Sequence, residues 1–275
     1  MGPLSHAAPP ERDGDGALLQ LREVTRMFGG LAAVKDLDLA VPAGSIFGLI
    51  GPNGAGKTTV FNLITGANPA TSGHVLFGDH DITTQPAYAI NRLGVARTFQ
   101  NTRLFKTVSV ADNVRTAASW QAGYGWLHGV LQGLVYARRE ADLNATVMAL
   151  LEAFDLADKA REQAQSLPYG EQRRLEIVRA LATRPRLLLL DEPAAGLNAT
   201  ETNELMQLVH RIRDERGVTI LLIEHDMRLV MGICEQIAVL DHGIKISEGG
   251  PADVRGDPQV IAAYLGQQEP EHAPS

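Results

Sequence analysis

The chain has 275 residues, 45 % apolar and 21 % charged, which is ample for a real core and excludes a disordered composition. A formal net charge of −7 argues against sequence-independent nucleic-acid binding, which needs clustered Lys and Arg. The single cysteine, Cys234, permits no intrachain disulfide, and its apolar neighbours Val230, Met231 and Ile233 read it as a small buried hydrophobe.

Residues 1–16 mix Pro, Gly and both charge signs without an apolar stretch, so they read as a disordered lead and not as a secretory signal. Residues 267–275 read as a disordered tail, and 17–266 as one domain. No apolar run approaches the roughly 20 residues that span a bilayer. Short apolar runs alternate with helical patterns, which predicts an α/β fold with a largely parallel sheet. Strands are expected at 18–24 and 37–41, the second closed by the turn sequence Pro42-Ala43-Gly44. A buried strand at 45–50 runs into a glycine-rich loop. A helix follows over 57–65, with Gly66 just past its end.

From 101 to 165 the strand signals vanish. Helices are predicted over 110–118 and 141–154, around a stretch at 120–134 that mixes glycine with aromatics. The whole reads as a helical subdomain inserted into the α/β core. A helix over 171–183 then stops before Arg184-Pro185, and a strand is expected at 187–190. A helix over 201–216 lines up Leu205, Leu208, Val209 and Ile212, with Asn198 and Glu201 as a capping pair and Gly217 as its stop. A strand over 218–223 completes the pattern.

The strongest motif is Gly51-Pro52-Asn53-Gly54-Ala55-Gly56-Lys57-Thr58, which matches G-x-x-x-x-G-K-[ST] between a strand and a helix. Glycines let backbone N–H groups wrap phosphate oxygens, and the helix start adds a positive dipole. Lys57 would reach the β- and γ-phosphates, and Thr58 would offer its hydroxyl to Mg²⁺, with Thr59 beside it in the same loop. No guanine-reading Asn-Lys-x-Asp occurs, which argues against a GTPase. The apolar run 187–190 ends in Asp191 and Glu192. Asp191 is placed to hold Mg²⁺ and Glu192 to orient or deprotonate a water, since neighbours on a strand point to opposite sides. A second apolar run ends in Glu224-His225, and the remaining histidines lack metal-ligand spacing.

In this order, over roughly Leu18 to Leu265, the motifs resemble those of the ATP-binding-cassette family. The resemblance implies a P-loop sheet core with an antiparallel N-terminal β subdomain and an inserted helical subdomain. It implies ATP and Mg²⁺ as cofactors, and two nucleotides sandwiched between two such domains. It gives Phe28, in Arg-Met-Phe-Gly, the role of stacking on adenine. Gln100, in Arg-Thr-Phe-Gln, takes that of sensing Mg²⁺ and water, and His225 that of a switch touching the γ-phosphate. Leu167-Pro-Tyr-Gly-Glu-Gln172 stands where the family has Leu-Ser-Gly-Gly-Gln, so Tyr169, Gly170 and Glu171 would meet the partner's nucleotide. Ala195-Gly-Leu-Asn198 would cross the dimer interface.

Two departures stand out. In the signature, Tyr169 replaces the first glycine and Pro168 the serine, and Pro168 supplies neither hydroxyl nor N–H, although the helix behind it still has free N–H groups. Asn198 replaces the usual Asp, and Glu171 adds a charge that must point away from phosphate. These departures, with Arg-Thr-Phe-Gln-Asn-Thr-Arg-Leu-Phe105, the glycine- and tryptophan-bearing insertion and Ala263-Tyr-Leu-Gly266, resemble the ATPase subunits of branched-chain amino-acid importers. That implies a different ATPase chain as partner, with a homodimer as the alternative, together with two transmembrane permease subunits, an external substrate-binding protein and a place on the cytoplasmic face of the membrane. Leu104 and Phe105 are candidates for gripping a permease helix, with core packing as the alternative. The ATPase of an exporter, or of an importer for another solute such as a lipid, polysaccharide, amide or urea, would share every ATP motif. A nucleic-acid or ribosome cassette is disfavoured by the single cassette and the acidic balance.

Overall fold

The computed structural model describes residues 16–100, 102–119 and 133–265. The expected tail lies outside them, as do nearly all of the expected lead and most of the 120–134 insertion. In chain order the strands are β1 (Ala17–Phe28), β2 (Leu31–Pro42), β3 (Ile46–Ile50), β4 (Ser72–Phe77), β5 (His80–Asp81), β6 (Val95–Arg97), β7 (Leu187–Asp191), β8 (Thr219–Ile223), β9 (Gln236–Asp241) and β10 (Ile244–Gly249). The helices are α1 (Lys57–Ile64), α2 (Ala87–Leu93), α3 (Val110–Ser119), α4 (Gly133–Ala153), α5 (Tyr169–Leu181), α6 (Ala199–Arg216), α7 (Met227–Ile233), α8 (Pro251–Gly256) and α9 (Pro258–Leu265).

Two sheets form. One is antiparallel, in the order β2-β1-β4-β5. The other runs β10-β9-β3-β8-β7-β6, parallel except for the β10 edge. Both parts of the expected sheet architecture are therefore present. In the large sheet, β3, β7 and β8 are buried at every residue, the mark of parallel strands covered on both faces.

Period-2 alternation sorts those residues into two clusters. Ile46, Ile50, Leu188, Leu190, Ile220 and Leu222 face one side, with Leu175 and Val178 of α5 and Leu208 and Val209 of α6. Phe47, Leu49, Leu187, Leu189, Leu221 and Ile223 face the other, with Val60 and Phe61 of α1 and the inner residues of the antiparallel sheet. Each fully buried Leu or Ile here contributes about 1.5–3 kcal/mol from apolar burial alone. Cys234 belongs to the first cluster, and burial pushes its thiol up to about 12, so the reading of it as a hydrophobe fits.

The strands at the N-terminus are longer than the alternation suggests. β1 continues past Val24 to Phe28 and β2 starts at Leu31, because the pairing shifts register around Glu23 and Asp36, both at positive φ. There the Glu23 N–H donates to Asp38 and the Asp36 N–H to the Thr25 hydroxyl, so side chains stand in for ladder bonds. Between β6 and β7 the described residues hold α3, α4 and α5 and no strand. None of the described helices is long and apolar enough to cross a membrane.

Candidate active site

In the large sheet β3, β8 and β7 are neighbours in parallel register, Leu49 opposite Ile223 and Ile223 opposite Asp191. Their carboxyl ends therefore deliver Gly51, Glu224 and Asp191-Glu192 to one edge, where open α/β sheets place their ligands.

The loop after β3 turns on Gly51 at φ 147°, where a Cβ would stand 2.0 Å from the Leu240 carbonyl oxygen of β9. Only glycine allows that approach. Gly56, at φ 101°, caps α1, whose start carries no side-chain cap and no acidic residue. Its leading N–H groups and dipole are left available to an anion. Asn53, Gly54, Ala55, Gly56, Lys57, Thr58, Thr59 and Glu192 line one cleft of about 380 Å³, together with Leu31, Ala32, Ala33 and His242. Gly51 and Pro52 contribute carbonyls instead, accepting from the Lys57 ammonium at 2.6 and 2.8 Å. Burial lowers the Lys57 pKa, and the nearby charges of Glu192 and then Asp191 partly restore it.

The two carboxylates separate as two roles require, but not through strand alternation. Asp191 is the last residue of β7 and is buried. Its Oδ2 pairs with Arg97 at 2.7 Å. Glu192 lies beyond the strand at φ +46°, a conformation costly for a residue with a Cβ, and its N–H donates to Ile223 O. That backbone turn directs it into the cleft. There its Oε2 accepts from the Gln100 amide at 2.7 Å, which joins two residues 92 positions apart. Lys57, Thr58, Glu192 and Gln100 are thus brought together.

His225 is exposed, and its Nδ1 stands 3.8 Å from Oε2 of the fully buried Glu224. Phe28 sits at the tip of the β1–β2 hairpin opposite Leu31, half exposed, with the Arg26 guanidinium 4.6 Å above its ring. Neither Phe28 nor His225 lines the cleft itself.

Pro168 is the N-cap of α5, so the signature segment forms the start of that helix. Tyr169 is exposed there, and a Cβ on Gly170 would meet Glu201 Oε1 at 2.8 Å. The Glu171 carboxylate is taken by Lys159 Nζ at 2.5 Å, which turns its charge toward the helical region. Asn198 caps α6 in a reciprocal capping box, accepting from Thr200 N and Glu201 N while its own N–H donates to Glu201. Leu104 is buried in the first cluster, so core packing accounts for it. Phe105 stays half exposed beside Arg179.

Three further contributors, Glu224 and Glu176 buried and Arg97 partly buried, were given no role by the sequence. Arg97 lies between the Phe61 and Phe99 rings, at 5.3 and 5.2 Å, and also donates to Asn62 at 2.7 Å. It belongs to a three-residue strand, and its partner Asp191 is 94 positions away. Glu224 accepts from Ala194 N at 2.8 Å and so ties the end of β8 to the loop behind Glu192. Glu176 of α5 accepts from the backbone on both sides of Gln100. The one available signal was an ionic residue inside an apolar run, as Glu176 stands between Leu175 and Ile177.

Comparison with known proteins agrees with this geometry. The "ABC transporter" family model matches residues 34–195, and the "Branched-chain amino acid ATP-binding cassette transporter" model matches 245–270. The chain is 44 % identical over 250 residues to the high-affinity branched-chain amino acid transport ATP-binding protein LivG of Escherichia coli, covering 91 % of this chain and 98 % of that one. BraF of Pseudomonas aeruginosa, described in the same words, matches at the same identity and coverage. The lipopolysaccharide export system ATP-binding protein LptB of Escherichia coli is 33 % identical over 251 residues, with 91 % and 98 % covered. Among solved structures, the ADP conformation of an ATP-binding cassette from an ABC transporter superposes with a TM-score of 0.79 at 28 % identity, covering 91 % of this chain and 99 % of that one.

Proposed function

We propose that this chain, which belongs to the ABC transporter family of ATPases, powers an importer for branched-chain amino acids. The observation that carries the substrate class is the higher identity to the branched-chain amino-acid proteins than to the lipopolysaccharide exporter, reinforced by the matching C-terminal segment.

The cleft and the residues placed around it support the following roles. The α1 N-terminus and Lys57 hold the β- and γ-phosphates of ATP, and Phe28 stacks on the adenine. The Thr58 hydroxyl and the Asp191 carboxylate are hard oxygen donors of the kind Mg²⁺ takes alongside phosphate, and Gln100 adds an amide oxygen. When bound, Mg²⁺ neutralises charge on the β- and γ-oxygens. Glu192, steered by Gln100, accepts the proton of the attacking water, and His225 steadies the γ-phosphate. Hydrolysis is thus positioning and charge stabilisation.

A second cassette completes each site. Its segment matching Tyr169, Gly170 and Glu171 approaches the nucleotide with backbone N–H groups, while Lys159 draws the Glu171 charge aside. The altered signature suits asymmetric sites, and hence a different ATPase chain as partner. Two transmembrane permease subunits would hold the pair at the cytoplasmic face, with Phe105 toward them, and an external binding protein would deliver the amino acid.

The test is uptake of labelled leucine, isoleucine and valine by cells carrying the parent gene, its deletion, Lys57→Ala or Glu192→Gln. Uptake is expected to fail in all three altered strains, with Glu192→Gln still binding ATP and its turnover down about 10²–10⁴-fold. Unchanged uptake in the deletion strain would reject the amino-acid assignment and favour the exporter reading.

A further inference from the structure

We infer that Arg173 and Glu176, buried side by side on α5, are positioning residues for hydrolysis: they hold the backbone around Gln100 and thereby aim its amide at Glu192. The inference rests on the ATPase reading of the site.

The contacts form one continuous chain. The Arg173 guanidinium donates to the carbonyl of Phe99 at 2.9 Å and also to that of Gln100. Glu176 Oε1 accepts from the N–H of Phe99 at 3.3 Å and of Arg103 at 3.4 Å. One helical turn on, Arg179 donates to the Arg103 carbonyl. Positions i, i+3 and i+6 of one helix therefore grip residues on either side of Gln100. Gln100, exposed itself, donates to Glu192 at 2.7 Å. At the other end of α5, Arg173 stacks 5.4 Å from the ring of Tyr169, in the signature segment.

Stability alone does not account for this pair. Arg173 and Glu176 are 4 % and 2 % exposed, their ion pair is loose at 3.5 Å, and Arg173 Nε and Glu176 Oε2 are buried without a hydrogen-bond partner. A buried pair of that quality costs desolvation that apolar side chains would avoid. What the two charges do provide is a fixed backbone for a residue with no buried anchor of its own. A shift of about 1 Å at Gln100 would break its bond to Glu192, and misplacement on that scale costs up to about a hundredfold in rate. The same helix carries the segment that meets the partner's nucleotide, so movement of the signature would be felt at Gln100.

The experiment is a double-mutant cycle on the full-length chain assembled with its partner cassette, reading ATP hydrolysis and the ATP-induced rise in melting temperature. Arg173→Met and Glu176→Leu are expected to lower kcat roughly ten- to a hundredfold, with KM for ATP and the ATP-induced shift little changed. Glu176→Gln keeps an oxygen for the same two N–H groups and should lose less than Glu176→Leu. In a Gln100→Ala background, Arg173→Met should cost almost nothing further, because its effect passes through Gln100. Losses that multiply in the double variant, or that fall on KM instead of kcat, overturn the inference. If Arg173→Met does not fold, Arg173→Lys, which retains one donor and loses the fork, carries the same cycle. A parent chain that shows no ATPase activity even with its partner cassette present would instead reject the ATPase reading.

Discussion

Glu192 and Glu224 show how much a single backbone position decides. Glu192 reaches the cleft because its φ of +46° turns it off β7, and its N–H is secured by Ile223 O. Glu224, one residue past β8, is fully buried and holds the neighbouring loop through Ala194 N. Burial is the largest influence on Glu224 and raises its pKa above the ordinary 4.5, against the bonds from Ala194 and His225 that lower it. An acid whose folded pKa exceeds its unfolded pKa binds more protons when folded. Its contribution to stability is complete below 4.5 and is lost as pH rises through the folded value. Glu224→Gln keeps an oxygen for Ala194 N and removes the titration. Melting curves of both proteins from pH 4 to 8 should show the variant gaining on the parent as pH rises through the acid range. A difference that does not change with pH, or a variant that loses ground to the parent as pH rises, would reject this account. The sequence disclosed these residues unevenly. Lys57, Thr58, Asp191 and Glu192 belong to contiguous motifs at strand ends, so their gathering at one edge of the sheet was legible. Arg97 and Glu176 act on residues 94 and 77 or 73 positions away, and no local pattern reveals such pairs.

α6 is the element whose boundaries follow most directly from side-chain chemistry. Asn198 and Glu201 exchange bonds at its start, and Gly217 ends it at φ 63° with its N–H on Arg213 O. Asn198→Ala removes the acceptor for two first-turn N–H groups and should cost about 1 kcal/mol, or about 2–4 °C in melting temperature. Asn198→Asp keeps the cap and should melt with the parent. An alanine variant as stable as the parent would mean that the box is geometrically present and energetically idle. The capping signal made this helix readable to within two residues of its start. Less was legible where pattern and structure diverge. β5, β6 and β10 gave no clear signal, since β5 is two exposed residues, β6 is three residues long and β10 has no fully buried residue, whereas the apolar run 237–240 of β9 was a strand signal left unread. β1 and β2 read short because their register shifts at Glu23 and Asp36 break the period-2 alternation on which strand reading depends.

At the scale of the molecule, the described helical residues between β6 and β7 share one apolar cluster with the large sheet. Val147, Leu150 and Leu151 of α4 and Val110 and Val114 of α3 lie in the same apolar cluster as Leu188, Leu190, Ile220 and Leu222 of the large sheet, joined through α5. Pulling those helices away would expose the sheet face that α5 covers, so they should not melt separately. That continuity also makes the Arg173–Glu176 grip on the Gln100 loop a link between two parts of one core and not a contact across a loose boundary. Leu151, fully buried, is the cleanest probe. Leu151→Ala leaves a cavity among well-packed neighbours and should cost about 2–5 kcal/mol, lowering the melting temperature by roughly 5–20 °C. Calorimetry should still record one transition, displaced as a whole, with ATP raising it in parent and variant alike, because a ligand bound only by the folded form stabilises the entire cooperative unit. A second transition at lower temperature, insensitive to ATP, would show the helical region unfolding by itself. That result would remove the continuous core from the path between the signature segment and Glu192, leaving the Arg173 and Glu176 bonds to carry it alone.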